Sequence, residues 1–397
     1  MDFQNSFQKL KTYCENENYK GWDPYDGLNS KIFQATPLKY WPFARLAWIQ
    51  LFKRNPVNLR KLLLVPKGHN PKALGLFLTG YCNLYELVKE GNEHFGSEEN
   101  IIGKIRHLAD LLIDLQTERY SGACWGYNFD WQARGGLYFP AFTPTVVATT
   151  YAVNGLLDAN EILKDPAIEK LALSSADFIL QDLNRTEKKE GFLFSYAPTF
   201  GNNTVYNASL LGSRLLSRIY SITKDEKQAE AARGSVLACC NAQNEDRSWY
   251  YGELPIQNWI DSFHTGFNLE AIYDYQRYTG DASFQEHFEN GYRYYIQNFF
   301  LEDGTPKYYH NETYPIDIHC PAELIIALSK TGRFQQHKEL AEKVLNWTIE
   351  HMQDEKGYFY YQMKKSHSSK IPYMRWSDAW MYCALSYYLK ELHSLES

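Results

Sequence analysis

Three short stretches place acids where a helix could start: Trp259-Ile260-Asp261-Ser262-Phe263-His264, Tyr314-Pro315-Ile316-Asp317-Ile318-His319 and Arg375-Trp376-Ser377-Asp378. General acid–base chemistry on a glycosidic bond needs two carboxyls around one cavity, one of them kept protonated by its surroundings. Asp261, Asp317 and Asp378 are the candidates, with Asp261 and Asp317 first for acid and base. Each also has a structural reading, because Asp is a favoured N-cap. His264 follows Asp261 by three residues and shares its helix face. With His319 it is suited to orienting a substrate or transferring a proton. Arg375 suits a substrate carboxylate or phosphate, and equally suits neutralising Asp378. A fourth stretch, Gly21-Trp22-Asp23-Pro24-Tyr25-Asp26-Gly27, holds two acids among turn-forming residues. Either Asp23 and Asp26 cap a following helix through Asx-turns, or this strand of chain lies across a cavity mouth and adds both acids to the site.

Other chemistries lack their patterns. Asp317, His319 and Cys320 with His264 make a conceivable zinc set, but Cys-X-X-Cys and His-Glu-X-X-His spacings are missing. The sequence contains no phosphate loop, dinucleotide fingerprint or Gly-X-Ser-X-Gly elbow. No metal and no cofactor is expected.

Such groups need a frame to bring them together, and an internal repeat supplies one. An aromatic–X–Tyr element recurs as Trp125-Gly126-Tyr127, Phe194-Ser195-Tyr196, Trp249-Tyr250-Tyr251 and Phe359-Tyr360-Tyr361. A fifth copy, Lys307-Tyr308-Tyr309, keeps only the Tyr. The Tyr positions 127, 196, 251, 309 and 361 are 52 to 69 residues apart, room for two helices and their loops. Apolar residues between the elements recur at three- and four-residue spacing, as at Leu340, Val344, Leu345 and Ile349. The first helix of each pair is the more apolar, as expected of inner helices backed by half-exposed outer ones.

Inner helices are predicted near 73, 145, 205, 260, 317 and 377, with the stretch near 43–52 pairing with the final helix to close a ring. The fold class is all-α, a single (α/α)6 toroid domain over 1–397, with 1–40 as an N-terminal extension packed on the ring. The structural rival is an open solenoid of helix pairs. In a closed ring the aromatic loops lie on one face, where the inner helices present their positive N-terminal ends. Candidate residues therefore sit in the first turn of each inner helix. Trp125, Tyr127, Trp131, Trp249, Tyr251, Tyr309, Tyr361 and Trp376 are candidate stacking platforms for a ligand.

Composition agrees with a sugar as that ligand. Aromatic residues make up 16% of the 397, including 31 Tyr and 10 Trp. Their faces and polar edges match the C–H faces and hydroxyl rims of sugar rings. A net charge of -6 argues against nucleic acid as a partner. No run approaches the ~18 apolar residues of a membrane span. The N-terminus shows no basic and apolar leader pattern, and seven Cys without paired spacing read as reduced thiols, so a cytoplasmic location is expected.

The hairpin order, the Trp249-Tyr250-Tyr251-Gly252 loop and the Asp261-Ser262-Phe263-His264-Thr265-Gly266 helix start resemble the six-hairpin glycosidase-like toroids. Gly21 to Ser30, with Asp303-Gly304-Thr305-Pro306-Lys307-Tyr308-Tyr309, is similar to an uncharacterised bacterial group found among surface-polysaccharide biosynthesis genes. Some of its members are labelled delta-aminolevulinic acid dehydratase, a β/α-barrel enzyme whose strand–helix alternation is absent here. The resemblance implies a glycoside hydrolase-like enzyme acting on an oligosaccharide or uronate-containing glycan. Two other readings stay open: a sugar epimerase of the N-acylglucosamine 2-epimerase type, working through cavity histidines such as His264 and His319, and a non-catalytic glycan-binding or scaffold protein.

Overall fold

The computed structural model describes residues 2–133 and 136–396. It opens with α1 (Phe3–Asn16), followed by a segment that holds the short α2 (Lys31–Gln34) and α3 (Pro42–Arg54). Helices then alternate: α4 (Pro71–Lys89), α5 (Glu98–Asp114), α6 (Val146–Leu163), α7 (Pro166–Asp177), α8 (Tyr206–Thr223), α9 (Glu226–Asn241) and α10 (Ser262–Thr279). The series ends with α11 (Gln285–Asn298), α12 (His319–Lys330), α13 (Lys338–Met352) and α14 (Ala379–Glu396). The six inner helices α4, α6, α8, α10, α12 and α14 pack side by side, and α14 meets α4 to close the ring.

Their composition explains this placement. From His319 to Leu328 every residue of α12 is buried, whereas α5 buries one stripe, Ile101, Ile105, Leu108, Ala109 and Leu112. Helix starts are set by side-chain caps: Asn70 accepts from the Lys72 amide (3.1 Å), Thr145 from Ala148 (3.0 Å) and Asp261 from His264 (3.0 Å). The helices α4 and α6 approach so closely at Gly75 and Gly155 that a Cβ on Gly75 would collide with the Tyr151 carbonyl.

The ring closes differently from the sequence expectation. The sixth outer helix is α1, which buries Phe7, Leu10 and Cys14 and packs on α14, with the Phe7 and Tyr382 ring centroids 4.9 Å apart. The stretch near 43–52 forms α3, which buries only Ile49 and Phe52 and packs on the 3₁₀ turns Asp26–Asn29 and Pro37–Tyr40. The residues expected as one N-terminal extension thus divide between a ring helix and a cap. Both stretches have apolar residues at helical spacing, and only the packing distinguishes them.

Short antiparallel pairs occupy the loops: β1 (Trp131–Gln132) with β2 (Tyr138–Phe139), and β3 (Arg185–Glu187) with β4 (Phe192–Phe194). A third set joins β5 (Ile316–Asp317), β6 (Gln362–Met363) and β7 (Ser368–Ser369). Among the described residues no helix is long and apolar enough to cross a membrane.

Candidate functional site

The aromatic–X–Tyr elements perform two separate jobs. Their first residue is an anchor. Trp125 donates its indole N–H to the Leu112 carbonyl at the end of α5 (2.7 Å), and Trp249 donates to the Cys239 carbonyl at the end of α9 (2.9 Å). Phe194 and Phe359 are likewise fully buried. The Tyr carbonyls then stitch the ring. Tyr196 O accepts from the Val146 amide (2.9 Å), Tyr251 O from Tyr206 (3.3 Å), Tyr308 O from Ser262 (2.9 Å) and Tyr361 O from Ile318 (3.3 Å). Each loop thereby satisfies an amide at the start of the preceding inner helix, a group the helix itself leaves unpaired.

Three expectations change as a result. Trp125 is a core anchor with a committed indole, whereas Trp249, its indole N–H also committed, additionally lines the recess beside His264. Tyr361 is buried against Tyr373 (5.2 Å) and Trp376 (5.9 Å). In the fifth copy the structural equivalent of the other tyrosines is Tyr308, one residue before Tyr309. The Tyr309 backbone instead bridges Asp261 and Glu312. The half-buried rings Tyr127, Tyr196, Tyr251, Tyr308, Trp131 and Trp376 remain on the loop face.

Phe263 and Trp376 organise the centre of that face. The Phe263 ring touches His264 (4.3 Å), His319 (5.0 Å), Tyr308 (5.4 Å) and Trp376 (6.2 Å). Trp376 also meets His319 (4.4 Å) and Tyr25 (5.6 Å). Asp261, His264, Asp317 and His319 are therefore brought together, as the helix-start rule anticipated.

Their chemistry is unequal. Asp261 caps α10 and orients a histidine: Oδ1 accepts from the His264 amide, while Oδ2 accepts from Trp259 Nε1 (2.8 Å) and faces His264 Nδ1 at 2.7 Å. An Nδ1–H held by a carboxylate leaves Nε2 free as a base. The His264 side chain is 21% exposed, so its ring reaches solvent. Asp317 accepts from Trp376 Nε1 (2.9 Å), the His319 amide (3.1 Å) and Gln362 Nε2 (3.0 Å). Complete burial lifts its pKa to about 6 despite those donors. Burial, then the charges of Lys72 and Arg375, pushes His319 well below the ordinary histidine value, so its ring is neutral. Its Nδ1 lies 3.7 Å from Asp317 Oδ1, too long for a hydrogen bond.

Two other candidates are differently placed. Asp378 points away from the site, accepting from the Phe359 amide (3.0 Å) behind the loop. Burial raises it well above the carboxylate range, so it is a neutral structural acid. Arg375 forms a bidentate pair with Asp23, Nε to Oδ2 at 2.5 Å and Nη2 to Oδ1 at 2.8 Å. Burial alone would lower its pKa, but Asp23 raises it, so it stays charged. Its guanidinium also lies over Tyr127 (4.9 Å) and Trp376 (5.1 Å). Arg375 is thus committed within the protein and is not free to clamp a substrate anion. Asp26 pairs with Arg60 (2.8 Å), and Arg60 Nη2 donates to the Asp23 carbonyl (2.6 Å). The acids of the segment from Trp22 to Asp26 are thus used to hold it in place, and its Tyr25 ring packs on Trp376.

Beside His264 lies a shallow recess lined by Asn207, Trp249, Tyr250, Tyr251, Asp261, Thr265 and Asn268. Asn207 Nδ2 and Asn268 Oδ1 are buried there without a hydrogen-bond partner among the described residues. Tyr251 stacks on Trp259 at 4.4 Å and forms one wall. Deeper in the ring, Lys72 Nζ is caged by Tyr151 (4.4 Å), Trp380 (4.9 Å) and Phe267 (5.3 Å). Burial, followed by Arg375, pushes it well below the ordinary lysine value. Lys72 and Asn207 both sit in the first turn of an inner helix, so the positional rule covers them. Neither is an acid, so the carboxylate pattern does not mark them. Among the described residues no three His, Cys, Asp or Glu side chains are grouped to hold a metal ion.

The chain is a six-hairpin toroid. An unsaturated glucuronyl hydrolase specific for heparin superposes with a TM-score of 0.62 at 13% identity, over 99% of each chain. An alpha-mannanase of glycoside hydrolase family 76 from Bacteroides thetaiotaomicron superposes at 0.61 and 13% identity, over 94% of this chain and 100% of that one. The cellobiose 2-epimerase of Bacillus thermoamylovorans superposes at 0.60 and 12% identity, over 82% and 90%. At these identities the likeness establishes the fold. No family model and no curated protein sequence matches the chain.

Proposed function

We propose that the protein is a carbohydrate-active enzyme that transfers protons at a sugar bound beside His264, an epimerase or isomerase. The supporting observation is the 2.7 Å contact between His264 Nδ1 and Asp261. It commits the carboxylate to orienting an imidazole, so the reactive group at this helix start is a histidine. In this reading Nε2 of His264 takes the proton from the carbon next to the carbonyl of an open-chain sugar. A second group, Asp317, whose raised pKa of about 6 lets it hold a proton, returns one. The unpaired amide groups of Asn207 and Asn268 hold hydroxyls, and Tyr251 packs on the ring face.

Glycoside hydrolysis is the second reading, and it rests on Asp317, whose pKa of about 6 suits a general acid. The similarity of Gly21–Ser30 and Asp303–Tyr309 to a surface-polysaccharide group supports a glycan of that kind as substrate, handled in the cytoplasm. Incubation with mono- and disaccharides, uronates included, in D2O with NMR detection separates the readings. Epimerisation predicts deuterium at one sugar carbon and its loss in His264→Gln, by about 10²–10⁴-fold. New reducing ends without deuterium incorporation would replace this reading with hydrolysis. Sugar binding with neither result would leave a binding protein.

A further inference from the structure

Between Asp26 and Glu86 the chain contains no acidic residue, although its net charge is -6. Residues 31–67 hold eight basic ones: Lys31, Lys39, Arg45, Lys53, Arg54, Arg60, Lys61 and Lys67. Only Arg60 and Lys67 pair with a carboxylate among the described residues, with Asp26 and Glu17. The same segment is unusually apolar on its outside. Of the 20 large hydrophobic side chains described as exposed, nine lie between Ile32 and Leu64. Tyr40, Trp41 and Phe43 are 76%, 58% and 67% exposed, and the Trp41 and Phe43 rings touch at 5.6 Å. Leu64 adjoins Ile32, since the Leu64 carbonyl accepts from the Lys31 amide (3.2 Å).

From this combination we infer that the cap formed by residues 31–67 docks on an anionic membrane surface. Exposed Trp, Tyr, Phe and Leu interleaved with Lys and Arg are the composition of an interfacial anchor. The aromatic and aliphatic tips enter the headgroup boundary, and the cations meet negative lipid. Charge complementarity selects this occupant over a second copy of the chain. A two-fold dimer through this face would oppose two basic surfaces. The face also adjoins the aromatic loops: Arg45 Nε donates to Gln132 Oε1 (2.9 Å), and Lys53 Nζ donates to Tyr25 Oη (2.6 Å), whose ring packs on Trp376. Docking would therefore orient the loop face toward the lipid. The inference does not depend on the reaction proposed above.

The test is co-sedimentation of the full chain with vesicles of phosphatidylglycerol and phosphatidylcholine, compared with phosphatidylcholine alone. Binding to the anionic vesicles is expected, weakening as salt rises to about 0.5 M. The triple variant Lys31→Glu, Arg54→Glu, Lys61→Glu should lose roughly 100-fold or more, at about fivefold per cation. Trp41→Ser with Phe43→Ser should lose about tenfold or more, with circular dichroism unchanged because both side chains are exposed. Failure to sediment with anionic vesicles overturns the inference, as does binding that both variants retain. It is also overturned if the chain is a dimer that Trp41→Ser with Phe43→Ser dissociates, or if the face takes an oligonucleotide instead of vesicles.

Discussion

Replacing Asp23 by Ala removes the anion that holds Arg375. The two residues are 352 positions apart, yet their side chains meet twice, at 2.5 and 2.8 Å, with both residues at least nine-tenths buried. An exposed pair of this kind contributes about 0–1 kcal/mol. Here the variant leaves a guanidinium buried without its counter-charge, which costs about 3–5 kcal/mol. The Asp23 carbonyl still accepts from Arg60, so the loss is specific to the carboxylate. Asp23→Leu combined with Arg375→Met removes both charges and should recover most of the stability. Urea denaturation followed by far-UV circular dichroism reads both effects. Because the pair is desolvated, the Asp23→Ala cost should change little with salt. A cost below about 1 kcal/mol, or a double variant no more stable than the single, would refute the buried clamp. Arg375 would then again be available to a substrate anion.

Three further perturbations address other parts of the argument. Asp317 binds its proton more tightly when folded, its pKa rising from 3.8 to about 6, so the stability due to that proton is complete below about pH 4 and is lost as pH rises to about 6. The decline is at most ~3 kcal/mol. Asp317→Asn should lack it, and parallel stability curves for variant and wild type between pH 4 and 6 would contradict the assignment. Gly266→Ala puts a Cβ into the Glu323 side chain and should cost about 1–3 kcal/mol, measured by denaturation, with most of it recovered when Glu323 is also changed to Ala. Trp125→Phe and Trp249→Phe each remove one of two hydrogen bonds at a helix-end carbonyl, which keeps its bond from the Leu115 or Ala242 amide, and should lower stability by about 0.5–1.5 kcal/mol. Calorimetric titration of a bound sugar should show unchanged affinity in Trp125→Phe; weaker binding without lost stability would restore Trp125 as a stacking platform.

The helical frame was legible from the sequence because it is written in local, repeating chemistry. The apolar spacing and the aromatic–X–Tyr copies located the inner helices near 73, 145, 205, 260, 317 and 377, and they begin at Pro71, Val146, Tyr206, Ser262, His319 and Ala379. The same periodicity marked the helix starts where Asp261, His264, Asp317 and His319 converge. It also misaligned one repeat, because Pro306 stands where the other copies have an aromatic, and only the Tyr308–Ser262 hydrogen bond establishes that register.

What the sequence determined by itself is the order and polarity of the hairpins, since the apolar periodicity that marks each helix is local. What only the tertiary structure decided is the use made of each charge. Arg375 is bound to an Asp more than 350 residues away, Asp261 serves its own histidine, and Asp378 faces away from the cavity. Lys72 acquires an aromatic cage from three separate helices. A titratable group's role depends on its solvation and on partners that are distant in sequence, and these exist only once the ring has closed.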